Sequence, residues 1–458
     1  MTRSPSRLLL VLLTGSAPVS VLAGQQAPAT LIARIDSVVG AELDRTHAPA
    51  ASVAVESRGQ LLLARGYGLA NVEAGTHAGA ETIYRIGSLT KQFTATAIMH
   101  LVEAGKIGLD EDVKKYLPDY PTQGNRVTIR HLLTHTSGIK SYTGIGPQFW
   151  NEASRLDLTD DQMLALFKDL PFDFKPGERY LYNNSAFYLL GVIIGKVAGI
   201  PYRQYVRDKL FAPLGLTATS YCDDRPIIPH RAGGYEVQGA VVTNAVPLSL
   251  NTPGAAGALC SNVLDLLTWQ HGFDAARLIT PASRDQIRTS AVLNDGKPTN
   301  YGFGVAIRNF EGHRSFAHSG GINGFATWLA RYPDDDLTVV VLTNSGSGPA
   351  TRIGDLIARV MLGIPLPTLA DLPPPAADRA ALVGRYTVAG APVVITDGPP
   401  GLMIAVADQE PERLLHQGNS AYAWKSMPEA SLTLETSNGT RQVVVTIQGN
   451  RMVATPAK

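Results

Sequence analysis

A serine hydroxyl becomes a useful nucleophile only when a neighbour takes or polarises its proton, and Ser88 has a candidate neighbour in Lys91. On a helix, residues three apart lie on one face a turn apart. The first helical turn also offers unpaired N–H groups and a partial positive charge, which favour an oxyanion. In a chain of 458 residues, roughly one or two chance matches to this serine–lysine spacing are expected. A second occurs at Ser137-Gly-Ile-Lys140, inside a turn-like run. Ser88 differs because it opens an amphipathic helix with Phe93, Ala97, Ile98, Leu101 and Val102 on one face, closed by Gly105. Taken alone, the spacing is better explained by an N-cap serine followed by a solvated lysine. The partners elsewhere in the chain therefore decide.

Two stretches supply them. Tyr182-Asn-Asn184 precedes a strongly apolar helical run. A phenol whose pKa is lowered by a nearby ammonium can act as a general base, and an asparagine amide can hold a substrate carbonyl. An aromatic staple followed by an asparagine cap is the competing explanation. His318-Ser-Gly-Gly321 falls at the end of a strand-like run. Glycines there let a substrate lie along the strand edge and leave a backbone N–H free for an oxyanion. An imidazole at 318 is mostly uncharged at neutral pH, so it offers a hydrogen bond and no fixed cation. His77 and His416 also precede a glycine by two positions, but neither closes a strand. His131 and His135 have zinc-compatible spacing, yet Leu132 stands where a metalloprotease helix needs glutamate. No Gly-x-Ser-x-Gly elbow and no nucleotide-binding glycine loop occurs, so neither an α/β-hydrolase nor a cofactor is expected.

The elements that must position these residues are legible in outline. Residues 29–46 have helical apolar spacing, and 51–56 with 60–67 read as a hairpin about Ser57-Arg-Gly59. A short strand over 82–86 leads into the Ser88 helix, and residues 110–290 are mainly helical. Strands recur at 301–308, 314–318, 325–332 and 337–344, followed by a helix over 356–362. Strands at both ends with helices between predict an α+β fold: one antiparallel sheet built from both ends of the catalytic region, flanking helices and an inserted mainly helical lobe. A proline-rich linker over 366–378 then leads to a small all-β C-terminal domain over 379–458, a barrel or sandwich. The catalytic domain is expected over 24–365.

Arg3, Arg7, the apolar run 8–13 and the small-residue site before Gly24 mark residues 1–23 as a cleavable signal peptide, placing the mature chain in a periplasm or outside the cell. That apolar run is too short to remain as a membrane anchor. Removing those residues takes two arginines and no acids from a formal charge of +1, leaving −1. Nothing in that balance suggests nucleic acid as a partner; a small-molecule or peptide substrate is expected. The two cysteines, Cys222 and Cys260, are expected to pair as a disulfide in an exported chain.

The order Ser88-x-x-Lys91, Tyr182-x-Asn184, His318-x-Gly320 resembles the serine β-lactamase-like hydrolases: class C β-lactamases, D-Ala-D-Ala carboxypeptidases, D-aminopeptidases and related esterases. The segments 64–70, 84–94, 132–138 and 255–261 are similar to recurring segments of that family, so the likeness covers roughly residues 30–362. The C-terminal part is similar to the small lipocalin-like domain some members carry. The resemblance implies that Ser88 is acylated, that Lys91 and Tyr182 manage its proton, and that Asn184 orients the substrate. It also implies that His318, Gly320 and Gly321 flank the substrate, with the Ser88 and Gly321 N–H groups as oxyanion donors. True β-lactamases carry a lysine where this chain has His318, which removes a cation for the drug's carboxylate. The expectation is a hydrolase of esters, amides or D-amino-acid peptides; the alternatives are a penicillin-binding sensor or scaffold, or a true β-lactamase.

Overall fold

The structure is a computed structural model that describes residues 29–457, save Ser347, Ala389, 408–409, 425–429, 438–439 and 448–449. The expected signal segment, residues 1–23, lies outside the described residues. A helix α1 (Ala29–Thr46) leads into the hairpin β1 (Ala50–Ser57) and β2 (Gln60–Asn71), turned at Arg58 and Gly59, both at positive φ. A short β3 (Thr76–His77) edges β2, and four late strands complete the sheet: β4 (Ala306–Phe310), β5 (His313–Ile322), β6 (Phe325–Tyr332) and β7 (Leu337–Thr343). The order is β3-β2-β1-β7-β6-β5-β4, so the two ends of the catalytic region meet at the β1–β7 pair, from Ala51 opposite Thr343 to Ser57 opposite Leu337. Every pair is antiparallel.

The central strands are covered on both faces, which explains why β7 reads as an apolar run with no alternation. On one side Val53, Val55, Val339 and Val341 pack against Ile35 and Val39 of α1 and against Ile353 and Ile357 of a closing helix (Ala350–Leu362). On the other side Ala54, Val340 and Leu342 join the helical lobe. That lobe contains α2 (Thr90–Glu103), α3 (Asn184–Ala198) and α4 (Val263–Asp274). No single helix among the described residues is long and apolar enough to cross a membrane; α3 with the following helix passes as a bent pair, but α3 is buried in the core. The fold is therefore the expected α+β arrangement, with boundary differences. The strand expected over 82–86 shrinks to Tyr84–Arg85, paired with Leu259–Ser261 outside the main sheet. The strand expected from Tyr301 starts at Ala306, because Tyr301 itself makes only an isolated bridge.

Beyond Pro365, two five-stranded antiparallel sheets enclose a separate core that includes Ile395, Ile404, Tyr422, Trp424 and Leu432. A helix (Ala376–Leu382) that alternation in the sequence did not reveal plugs this core with Leu382. Part of the expected linker belongs to the same unit: Ala370 exchanges hydrogen bonds with the Gln417 amide, and Leu372 N–H donates to His416 O. The catalytic cores and this one share no cluster. A chain ending at Pro365 is expected to fold and to react at Ser88 with an active-site phosphonate. A soluble, helical truncation that does not label would show that the C-terminal domain helps build the site.

Candidate active site

Ser88 sits in a tight turn (Gly87–Leu89) that runs directly into α2, as the sequence pattern required. The turn is clamped from both sides. Ile86 N–H donates to Leu259 O at 2.9 Å, and Leu259 N–H donates to the Thr90 hydroxyl. On the other side the Thr327 hydroxyl donates to Ile86 O at 2.9 Å. Gly87 has φ +51, and a side chain there would stand 3.0 Å from the backbone nitrogen of Gly321. The nucleophile turn and β5 thus lie backbone to backbone, with the Gly321 N–H beside Ser88. Gly321 faces open space, whereas a Cβ on Gly320 would meet Ile86 O at 2.1 Å. Gly320 therefore permits the close packing of β5 on the turn, and Gly321 is the glycine that faces the substrate. β4 pairs with β5 only as far as Ala306 opposite Ala317, so β5 beyond that point keeps one edge unpaired by β4.

Lys91 is fully buried. Its Nζ lies 2.8 Å from Asn184 Oδ1, 2.8 Å from Ala256 O and 3.1 Å from Ser88 Oγ. Burial drives its pKa well below the usual lysine value. A lone ammonium in such a site would cost several kcal/mol, and no carboxylate pairs with it among the described residues. Nζ is thus within donating reach of three oxygens, Asn184 Oδ1, Ala256 O and Ser88 Oγ, which together replace the water it lacks. Asn184 keeps its amide nitrogen for Thr143 Oγ1, at 3.3 Å, with a second N–H available to a substrate.

Tyr182 corrects the expectation of an acidified phenol. Burial raises its pKa, and the nearby Ser88 hydroxyl offsets this only in part. Its ring centroid lies 4.7 Å from Lys91 Nζ, and its buried hydroxyl has the Ser88 hydroxyl as its polar neighbour. The arrangement brings Lys91 Nζ to Ser88 Oγ and sets the Tyr182 ring over the same Nζ.

His318 differs from expectation too. It is 6% exposed, and both ring nitrogens are bonded within the protein: Nδ1 to Ser319 O at 2.6 Å and Nε2 to the Tyr301 hydroxyl at 2.8 Å. The donors and acceptors close consistently as one chain. Asn183 N–H donates to His135 Nδ1, His135 Nε2–H to the Tyr301 oxygen, Tyr301 O–H to His318 Nε2, and His318 Nδ1–H to Ser319 O. Burial pushes His318 down to about 4 and His135 well below its usual range, so both are neutral. The chain links the Tyr182–Asn184 segment to the strand edge. His318 therefore acts through Ser319 and β5 and carries no charge to a ligand. Sequence reasoning missed Tyr301 and Ala256: an isolated tyrosine and a backbone carbonyl leave no motif.

The other candidates fall away. Lys140 pairs with Asp173 at 2.5 Å and Ser137 is buried without it. His131 caps its own helix at Thr128, and no metal-ligand cluster occurs among the described residues. His416 lies in the C-terminal domain. Cys222 and Cys260 are free thiols, buried and in mutual hydrogen-bond contact.

A serine with a buried lysine and a tyrosine beside it, and the Gly321 backbone nitrogen of an antiparallel strand close by, make up the site. The family description "Beta-lactamase" matches residues 35–361, and the chain belongs to that family. It is 31% identical over 302 residues to penicillin-binding protein 4* of Bacillus subtilis, a match that covers 62% of this chain and 66% of that relative's length. Among solved structures it is similar to the octameric penicillin-binding protein homologue of Pyrococcus abyssi, at TM-score 0.68 and 26% identity, covering 92% of this chain and 99% of that one. It is also similar to a D-stereospecific amidohydrolase from Streptomyces sp., at TM-score 0.63 and 27% identity, covering 73% and 99%.

Replacing Lys91 with arginine keeps a cation that cannot give up its proton at working pH. Lys91→Arg is expected to lower kcat by roughly 10²-fold or more, and Tyr182→Phe by a similar factor. The double variant is expected to lose far less than the product of the two, because both act on one proton. As pH falls through the lowered pKa of Lys91, the amine takes up a proton, so the acid limb of kcat/KM should lie well below the ordinary lysine range. Additive losses, or activity that rises only near the ordinary lysine pKa, would contradict the assignment.

Proposed function

We propose that this chain is an exported hydrolase that cleaves amides, esters or peptides of apolar D-configured acyl groups through an acyl-Ser88 intermediate. The observation that carries the reading is the buried Lys91 Nζ, 3.1 Å from Ser88 Oγ, with the buried Tyr182 hydroxyl beside the same serine. Lys91 takes the Ser88 proton as Oγ attacks the carbonyl, and the Ser88 and Gly321 N–H groups receive the oxyanion. Tyr182 donates a proton to the departing nitrogen or oxygen and is reprotonated through Lys91. Water then repeats the sequence on the acyl-enzyme.

The cleft around Ser88 is walled by Tyr142, Phe149, Trp150, Leu248 and Ile322, with Asn184, Thr143, Thr252 and Asn323 as polar groups. Such a wall suits an apolar acyl side chain. The D-configuration is supported by the likeness to the D-stereospecific amidohydrolase. On the far side, His318 is uncharged and closed into its network, so a carboxylate next to the scissile nitrogen would lose its hydration without gaining a cation. Neutral D-amino-acid amides and esters should accordingly be better substrates than penicillins or cephalosporins.

Labelling with a fluorophosphonate, beside a panel of D- and L-amino-acid amides, p-nitrophenyl esters and a cephalosporin, tests this. Wild-type protein is expected to label and to favour the D-amides or esters; Ser88→Ala should lose both labelling and turnover while staying folded. Preference for the cephalosporin, or stable acylation with no turnover of any substrate, would favour a β-lactamase or a penicillin-binding sensor instead.

Export adds a second expectation. In the free-thiol pair, the contact with the Cys260 thiol, helped by Arg85 and Arg231, favours ionisation of Cys222. Its thiolate can attack an external disulfide, after which Cys260 displaces the attached thiol and closes the bridge. Intact mass of the exported protein without reductant should be lower by two hydrogens than after reduction. Two free thiols would contradict the bridge.

A further inference from the structure

Next to the cleft at Ser88 lies a hollow of about 220 Å³, and Asn323 lines both. Arg85, Arg231, Val246 and Phe325 are among its other walls. We infer that this hollow holds a carboxylate borne by the acyl part of the substrate, several bonds from the scissile carbonyl. The inference deepens the acyl-serine reading above and rests on it.

The strand β5 sets the direction. Tyr182, which protonates the leaving atom in that reading, stands with its ring 6.0 Å from the ring of His318. From His318 the chain runs through Gly321, whose N–H receives the oxyanion, to Ile322 and Asn323, advancing about 3.3 Å per residue. The leaving group therefore points toward His318, and an acyl group in the cleft points toward Asn323. Beyond Asn323 comes Phe325, the first residue of β6, which lines only the hollow. Arg85 arrives from the other side, three residues before Ser88, so their Cα atoms lie within roughly 11 Å of each other. A short chain on the acyl group spans that gap.

Charge specifies what the chain should end in. The lining has two guanidiniums and no carboxylate. Both reach the same oxygen of Asp224, Arg85 at 3.1 Å and Arg231 at 2.5 Å, and Asp224 does not line the hollow. Arg231 spends a second nitrogen on Asp223 O. Arg85 commits only Nη2, so its Nε and Nη1 make no hydrogen bond among the described residues, although the side chain is only 16% exposed. An enclosed guanidinium with unused donors suits a carboxylate, and an ammonium there would face two cations. Glu236 accepts the Gly324 N–H at 3.1 Å and does not line the hollow. Val246, Pro247 and Phe325 supply apolar walls for the methylenes that lead to the charge. Asn323 Nδ2 donates to Val246 O at 3.0 Å, which leaves its amide oxygen for a substrate N–H.

Three p-nitroanilides of D-phenylalanine test the inference, capped at nitrogen with succinyl, succinamoyl or β-alanyl groups. The caps end in a carboxylate, a neutral amide and an ammonium at the same position. The acid is expected to have a kcat/KM about tenfold higher than the amide, the worth of one charge-assisted contact, and the ammonium the lowest. The preference should shrink as salt rises. Arg85→Gln should remove most of it, Arg85→Lys should retain part, and the double variant Arg85→Gln, Arg231→Gln should treat acid and amide alike. Equal rates for acid and amide in the wild type, or a preference that survives the double substitution, would overturn the inference while leaving the acyl-serine reading intact. If the double variant does not fold, the wild-type order of acid, amide and ammonium decides, and any other order overturns the inference. If no anilide is cleaved, calorimetric binding of the three to the Ser88→Ala protein decides. Tighter binding of the acid supports the hollow, and equal or absent binding overturns it. Failure of Ser88 to label with a fluorophosphonate is the separate result that would overturn the acyl-serine reading.

Discussion

Everything at this site depends on the burial of one lysine. Lys91 has no access to water and pairs with no carboxylate among the described residues, so its donors must be matched by other acceptors. Two carbonyl oxygens do this, and they come from distant parts of the chain: the Asn184 side chain at the start of α3 and the Ala256 backbone in the Gly254–Ala256 turn. Ser88 on the preceding turn takes the remaining position. The same three contacts that make the lysine tolerable in the core hold it against the Ser88 hydroxyl.

The surrounding architecture keeps that geometry dry and fixed. The Leu259–Ser261 strand and Thr327 clamp the turn before Ser88, and Gly87 and Gly320 let β5 approach with no side chain between. Along the other wall, the neutral chain from Asn183 through His135, Tyr301 and His318 to Ser319 ties the Tyr182 segment to the strand edge. Every donor in that chain has one acceptor, so an added proton would leave two donors facing each other. Its histidines are suited to remain uncharged, which also keeps positive charge away from Lys91.

Much of this was legible in the sequence because it leaves periodic or spaced signals. The helix opened by Ser88, the β1–β2 hairpin and the strands β6 and β7 all declare themselves through apolar spacing and turn residues. Ser88, Lys91, Tyr182 and Asn184 are recognisable as triplets. What was not legible are the effects that only three dimensions create. Desolvation overturns the lowered phenol pKa expected of Tyr182, because burial raises it. The hydrogen bonds that enclose His318 come from Tyr301 and from a histidine that reads as half of a zinc pair. Gly320 looks like a substrate contact, yet its missing side chain makes room for Ile86 O.

The central claim is the protonation state of Lys91, and its side chain can report this directly. In protein labelled with ¹³C at lysine Cε, the Lys91 resonance can be assigned by its absence in Lys91→Arg and followed through a pH titration. The account requires the shift of a neutral amine at pH 7, with the transition to ammonium well below the usual lysine value. A Lys91 that stays protonated from pH 7 up to its ordinary range would contradict it and return the role of base to Tyr182.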